Sequence, residues 1–220
     1  MVSIAIDGPA GAGKSTIAKI TSKKLGFIYV DTGALYRAIA YNSVLKNTDI
    51  ANVASVEQLL SETKVELAFK DGTQIVILNG KDVSDKIRTP QISMQTSAIS
   101  AIPIVREFLL DLQRDIAKEN NIIMDGRDIG TVVLPNANIK IFLTASAECR
   151  AKRRYDELIE KGMEVSYDEI LADIETRDYN DSHREIAPLK PAENGIIVDT
   201  SNEDLETSVA KLTSIIEKNL

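Results

Sequence analysis

Positions 2–6 are apolar apart from Ser3, Asp7 ends the run, a glycine-rich stretch follows, and Ile17, Ala18 and Ile20 then recur near helical spacing over 16–24. The pattern predicts strand, loop and helix. Leu25-Gly26 reads as a helix C-cap and 27–30 as a second short strand ending at Asp31, which completes a βαβ unit by residue 30. Asp31-Thr32-Gly33 leads into a helix over 34–45, and Ser55-Val56-Glu57-Gln58 has the form of a capping box that starts a short helix. The period then changes to two. Val65, Leu67 and Phe69 alternate with polar residues, Asp71-Gly72 makes a turn, 74–78 is a second strand, and Asn79-Gly80 turns again toward Val83.

Thr89-Pro90 predicts an N-cap with proline at the first helical position, and 104–118 forms a helix that carries Arg106. The apolar runs at 122–125, 139–143 and 196–198 have the form of buried parallel strands and bring the predicted sheet to about five. A last amphipathic helix over 203–219 places Leu205, Val209, Leu212 and Ile216 on one stripe. Between the last two strands lie a helix with Arg150, Arg153 and Arg154 that ends near Gly162, and a second helix opened by the capping box Ser166-Tyr167-Asp168-Glu169. Arg177, Asp181 and Arg184 come near the end of that second helix. Arg150 and Arg154, four apart, are expected on one face.

The fold class predicted is therefore α/β: a parallel sheet flanked by helices, with an antiparallel β insert and a helical insertion. At 220 residues and 44% hydrophobic, the chain is long enough for one large domain with insertions rather than several domains. A net charge of −7 and a pI near 4.9 argue against a nucleic-acid partner, although a local basic pocket for a small anion remains compatible with them. The single Cys149 excludes an internal disulfide, and no His/Cys cluster has zinc-site spacing, so a reducing, cytoplasmic setting is expected. Neither a signal peptide nor a run of about 18 apolar residues is visible, so no membrane association is expected.

The chemistry begins in Gly8-Pro9-Ala10-Gly11-Ala12-Gly13-Lys14-Ser15, a P-loop pattern between strand and helix. Three glycines let consecutive N–H groups converge on one point, and the helix beginning near Lys14 adds its positive end there. A phosphate chain fits that cradle. Lys14 would stand between the β- and γ-phosphates, and the Ser15 hydroxyl, with Thr16 beside it, would ligate the accompanying Mg²⁺. Asp125, an acid at the end of a buried strand, would hold Mg²⁺ through water. Arg37 and Arg106 are candidates for holding a second anionic substrate, and Arg127-Asp128 sets a cation beside an anion at the same end of the sheet. Five of the ten arginines fall in the helical insertion, which is expected to close as a lid that neutralises phosphate charge and excludes water. His183, the only histidine, reads as a lid surface residue; no nucleophile and base set assembles around it.

Four stretches together resemble the bacterial cytidylate kinases. They are Gly8 to Ser15, Asp31-Thr32-Gly33-Ala34-Leu35-Tyr36-Arg37, Asp125-Gly126-Arg127-Asp128-Ile129-Gly130-Thr131, and Arg177-Asp178 through Asp181 to Arg184 followed by Ala187-Pro188-Leu189. The resemblance covers essentially the whole chain. It implies the P-loop NTPase fold of a nucleoside monophosphate kinase with a five-stranded parallel sheet, and transfer of phosphoryl from ATP to CMP or dCMP. The implied division is a core (about 1–31, 85–145 and 185–220), a monophosphate-binding region with the β insert (about 32–84) and a lid (about 146–184). Thr32 and Arg37 would bind the CMP phosphate region; Ser97, Arg106, Arg127 and Asp128 would read cytosine and its surroundings; Arg177, Asp181 and Arg184 would contact sugar and phosphates. Lys14, Arg127, Arg177 and Arg184 are thereby the implied catalytic residues. The run from Arg177 to Arg184 carries fewer arginines than in some relatives, which shifts more of the ATP contacts to Arg150 and Arg154. A monomer is expected, from the resemblance only.

Three alternatives compete. Kinases for adenylate, thymidylate or shikimate share the donor pattern and differ in acceptor residues. A GTPase switch would carry an Asn-Lys-x-Asp guanine motif, and none is present. A nucleotide-sensing module would bind without turnover.

Overall fold

A computed structural model describes residues 1–70 and 72–220, so the Asp71 half of the expected Asp71-Gly72 turn lies outside the described residues. The elements are β1 (Ser3–Asp7), α1 (Lys14–Leu25), β2 (Ile28–Asp31), α2 (Thr32–Leu45), α3 (Val53–Ser61), β3 (Val65–Lys70), β4 (Thr73–Leu78), β5 (Lys81–Asp82), α4 (Pro90–Ile99), α5 (Pro103–Glu119), β6 (Ile122–Gly126), β7 (Ile139–Thr144), α6 (Ala147–Glu160), α7 (Tyr167–His183), β8 (Ile196–Asp199) and α8 (Leu205–Asn219). A π-helical turn, Ile129–Val133, follows β6 and has no counterpart in the sequence pattern. The expected α/β architecture is present as a five-stranded sheet in the order β2-β6-β1-β7-β8 and a separate three-stranded sheet in the order β3-β4-β5.

The chain divides into two compact units. One, here the loop unit, comprises Val2–Ile28 and Asn121–Leu220; the other, the insert unit, comprises Tyr29–Asn120 with Met1. In the loop unit β1 lies parallel to β6, pairing Ile4 with Ile123 and Asp7 with Gly126, and parallel to β7, pairing Ile4 with Ile139 and Asp7 with Phe142. β8 extends the sheet parallel to β7. Ile4, Ala5, Ile6, Ile122, Ile123 and Met124 are fully buried, which explains why these strands read as unbroken apolar runs. Val209, Leu212 and Ile216 are buried along one side of α8, as the 3.6-residue period requires. Leu205 is instead 49% exposed, because it is the first residue of α8, directly after the Asp204 cap.

In the insert unit, α2, α3, α4 and α5 and the inner faces of β3 and β4 share a core that includes Leu35, Ile39, Val56, Val76, Ile87, Ile99 and Leu109. β3 and β4 pair antiparallel from Val65 with Leu78 to Lys70 with Thr73. Burial fades along β3 from Val65 to Phe69, which is 37% exposed. Asn79 and Gly80 both adopt positive φ, the geometry of the tight turn their sequence predicts. Two helix starts differ from expectation. α2 begins at Thr32 because Asp31 caps it by accepting from the Ala34 amide, and α3 begins at Val53 because Asn52, rather than Ser55, is the cap. The caps at Thr89, with Pro90 after it, and at Ser166 are as expected.

Candidate active site

The glycine-rich turn between β1 and α1 is built by steric necessity. A Cβ on Gly8 would stand 1.9 Å from the Leu143 carbonyl oxygen, and Gly11 and Gly13 sit at φ 77° and 85°. Lys14, the first residue of α1, folds back over this turn, and its ammonium donates to the carbonyls of Gly8 and Pro9, both at 2.7 Å. It is buried. Burial first, and then repulsion by Arg127, push its pKa down to about 7 against the pull of Asp125, Asp7 and Asp181. Lys14 is thus a cation whose charge is disfavoured chiefly by burial.

Beside it Ser15 donates its hydroxyl to Asp125 at 2.7 Å, and Asp125 is 3% exposed. No group of three or more His, Cys, Asp or Glu side chains suited to a metal occurs among the described residues. A hydroxyl and a carboxylate side by side at the glycine turn do fit Mg²⁺, which takes few protein oxygens and completes its shell with substrate oxygens and water. Thr16 is exposed on the first turn of α1.

Around this core the structure brings several predicted arginines together with acids that the sequence reading left unpaired. Arg127 donates through Nε to Asp181 of α7 at 2.8 Å, and Arg184 lies 3.5 Å from Asp128 while its Nε donates to the Ala187 carbonyl. Arg177 is exposed on α7, in the field of Arg127, Asp181, Asp173 and Asp178. Arg150 is buried; it donates to the carbonyls of Ala145 at 2.9 Å and Ala10 at 3.0 Å, and it pairs with both carboxylate oxygens of Asp178. Arg154, four residues on along the same helix, is half-exposed and paired with Glu157 at 2.9 Å. The turn of α6 that carries Arg150 packs against the glycine loop, and Arg154 sits one turn farther along.

Asp7 was visible in the sequence only as the end of a strand. It is 3% exposed and accepts from the amides of Ile129 and Gly130, both at 2.7 Å, so it anchors the π-helical turn that follows Arg127-Asp128. Burial pushes its pKa up to about 6, opposed by those two amides.

The insert unit holds the remaining predicted residues. Thr32 is buried at the start of α2, and Arg37 one turn later pairs with Asp31 at 2.6 Å. Arg106 of α5 is 8% exposed, donates to the Ser100 carbonyl at 3.0 Å and stacks over the Tyr36 ring with its guanidinium carbon 5.3 Å from the centroid. Ser97 lies partly buried on α4, close in sequence to that carbonyl. Sequence reasoning missed Gln74 and Arg88, which also bond to Asp31, because they lie 43 and 57 residues away.

Comparison with known proteins places this arrangement. A model of the cytidylate kinase family matches residues 4–218. The cytidylate kinase of Caldicellulosiruptor saccharolyticus is 50% identical over 217 residues, 99% of this chain and 96% of that protein. That of Carboxydothermus hydrogenoformans is 51% identical over 213 residues, 97% of this chain and 96% of that protein. Among solved structures, a protein from Eubacterium ventriosum aligns over 99% of both chains with a TM-score of 0.52 and 13% identity, a likeness of fold alone.

Proposed function

Because this chain belongs to the cytidylate kinase family, with its P-loop kinase fold, we propose that it transfers the γ-phosphoryl group of ATP to CMP or dCMP, giving ADP and CDP or dCDP. The observation that carries the reading is the buried Lys14 ammonium over the glycine loop, beside the Ser15 and Asp125 pair. On this reading Gly8 to Thr16 hold the ATP phosphates, and Lys14 exchanges two loop carbonyls for phosphate oxygens. Ser15, and Asp125 through water, hold Mg²⁺, which when bound offsets charge on the phosphates. Lys14, Arg127, Arg177 and Arg184 stabilise the charge of the phosphoryl group in flight, and Arg150 and Arg154 serve the ATP side. The acceptor's phosphate is already ionised near pH 7, so no general base is needed.

Thr32 and Arg37 take the acceptor's phosphate. Ser97, Arg106, Arg127 and Asp128 select its base, and Asp181 joins Arg177 and Arg184 at the sugar. Cytosine offers two acceptors, O2 and N3, and one amino donor, which suits a guanidinium beside a carboxylate; uracil reverses part of that pattern. The working division assigns about 32–84 to the monophosphate and about 146–184 to a lid over a core formed by the rest of the chain. We further propose a cytoplasmic monomer in pyrimidine nucleotide metabolism; among the described residues no helix is long and apolar enough to cross a membrane.

A panel of acceptors with ATP and Mg²⁺, followed by ADP release, tests the proposal. CMP and dCMP are expected to be the best acceptors. Comparable turnover with AMP or shikimate would contradict it.

A further inference from the structure

Asp31 is the meeting point of four segments of the insert unit, and its side chain is 9% exposed. Oδ1 accepts from the Ala34 amide at 3.1 Å; Oδ2 accepts from Arg37 Nη2 at 2.6 Å and from Arg88 Nη2 at 3.2 Å. Its own peptide groups are clamped by Gln74 of β4, whose Oε1 accepts from the Asp31 N–H at 2.8 Å and whose Nε2 donates to the Asp31 carbonyl at 3.1 Å. The Gln74 amide thereby pairs with the backbone as a neighbouring strand would. One carboxylate faces two guanidiniums, so this cluster carries excess positive charge. Arg37 Nε is buried and has no hydrogen-bond partner among the described residues.

Arg88 differs from Arg37 in two respects. Its side chain is 66% exposed, and it holds Asp31 at the longer distance, so it is the looser of the two partners. Its backbone, by contrast, is fixed. Ile87 before it is 1% exposed and donates to the Val83 carbonyl at 3.2 Å, and Thr89 after it caps α4 ahead of Pro90. A side chain free to move on a fixed stem can turn to an arriving anion at little ordering cost, while Arg37 keeps Asp31 neutralised.

We propose that Arg88 is a second side chain for the acceptor's phosphate group, beside Arg37, and that Asp31 and Gln74 are positioning residues that hold the two guanidiniums together. Two planar forks converging on one tetrahedral dianion reach more of its oxygens than the single bidentate pair that one arginine supplies. The inference rests on the reading of this unit as the acceptor-binding part of a CMP kinase.

Binding of CMP and of cytidine to the full chain, measured by calorimetry or by competition, separates a phosphate contact from scaffolding. Arg88→Gln is expected to weaken CMP roughly 5- to 20-fold, the scale for one charge-assisted contact, and to leave cytidine unchanged. Arg88→Lys, which keeps the charge and loses the fork, should fall between Arg88→Gln and the wild type. Gln74→Ala should lower the CMP-to-cytidine affinity ratio in the same direction and to a smaller extent, with the KM for ATP unaltered. Equal weakening of CMP and cytidine by Arg88→Gln, or no change in either, overturns the proposal. A wild-type protein that fails to phosphorylate CMP would sink the kinase reading instead, and that control is run on the same preparation.

Discussion

In the loop unit three arginines are matched to acids, Arg127 to Asp181, Arg150 to Asp178 and Arg184 to Asp128, whereas in the insert unit Arg37 and Arg88 share the one carboxylate of Asp31. The matched pairs orient their guanidiniums and cancel much of their charge. Lys14, by contrast, donates to the Gly8 and Pro9 carbonyls rather than to an acid, so it and the backbone N–H groups of the turn are expected to meet an anion first. The shared carboxylate leaves a surplus of arginine charge to attract one. The same residue type is therefore held in reserve in one unit and already available in the other.

Removing the loop unit's buried cation should have the largest effect. Lys14→Met is expected to lower kcat with CMP by roughly 10²- to 10³-fold, the scale for one preorganised charge-stabilising group, and a near-normal rate would show that the arginines carry the donor phosphates after all. The complementary change lies in the insert unit. Arg106→Ala removes a guanidinium stacked on Tyr36 and bonded to Ser100, so the KM for CMP should rise by about tenfold with the KM for ATP little changed. A parallel rise in both constants would take Arg106 out of the acceptor site and blur the division between the units.

The two units were not equally legible in the sequence. The glycine turn could be read because strand, turn and helix are contiguous and each position has its own steric or electrostatic reason, as Gly8 beneath the Leu143 carbonyl illustrates. Asp7 was recognised only as the end of a strand. Its role depends on amides at Ile129 and Gly130, and no local pattern announces a partner 122 residues away. Asp31, Gln74 and Arg88 were missed for the same reason. Arg37 could be proposed because it lies near the start of the helix that directly follows a strand ending in Asp31. Spacing also misled where burial varies along a helix: it placed Leu205 on the buried stripe although it opens α8. The start of α3 moved to Val53 because Asn52 is as good a cap as the Ser55 expected there.

A subtler effect bears on the central claim, that the Lys14 ammonium holds a nucleotide's phosphate chain. Burial pushes the Lys14 pKa down to about 7, and bound phosphates would raise it again, so binding at pH 8 is expected to draw a proton from solution. Titrating the protein with Mg-ATP at pH 8 in buffers of different ionisation enthalpy measures this uptake. Saturable binding with uptake approaching one proton, absent in Lys14→Met, is the expected result. Saturable binding with the same proton balance in both proteins, or no saturation in the wild type, would contradict the account.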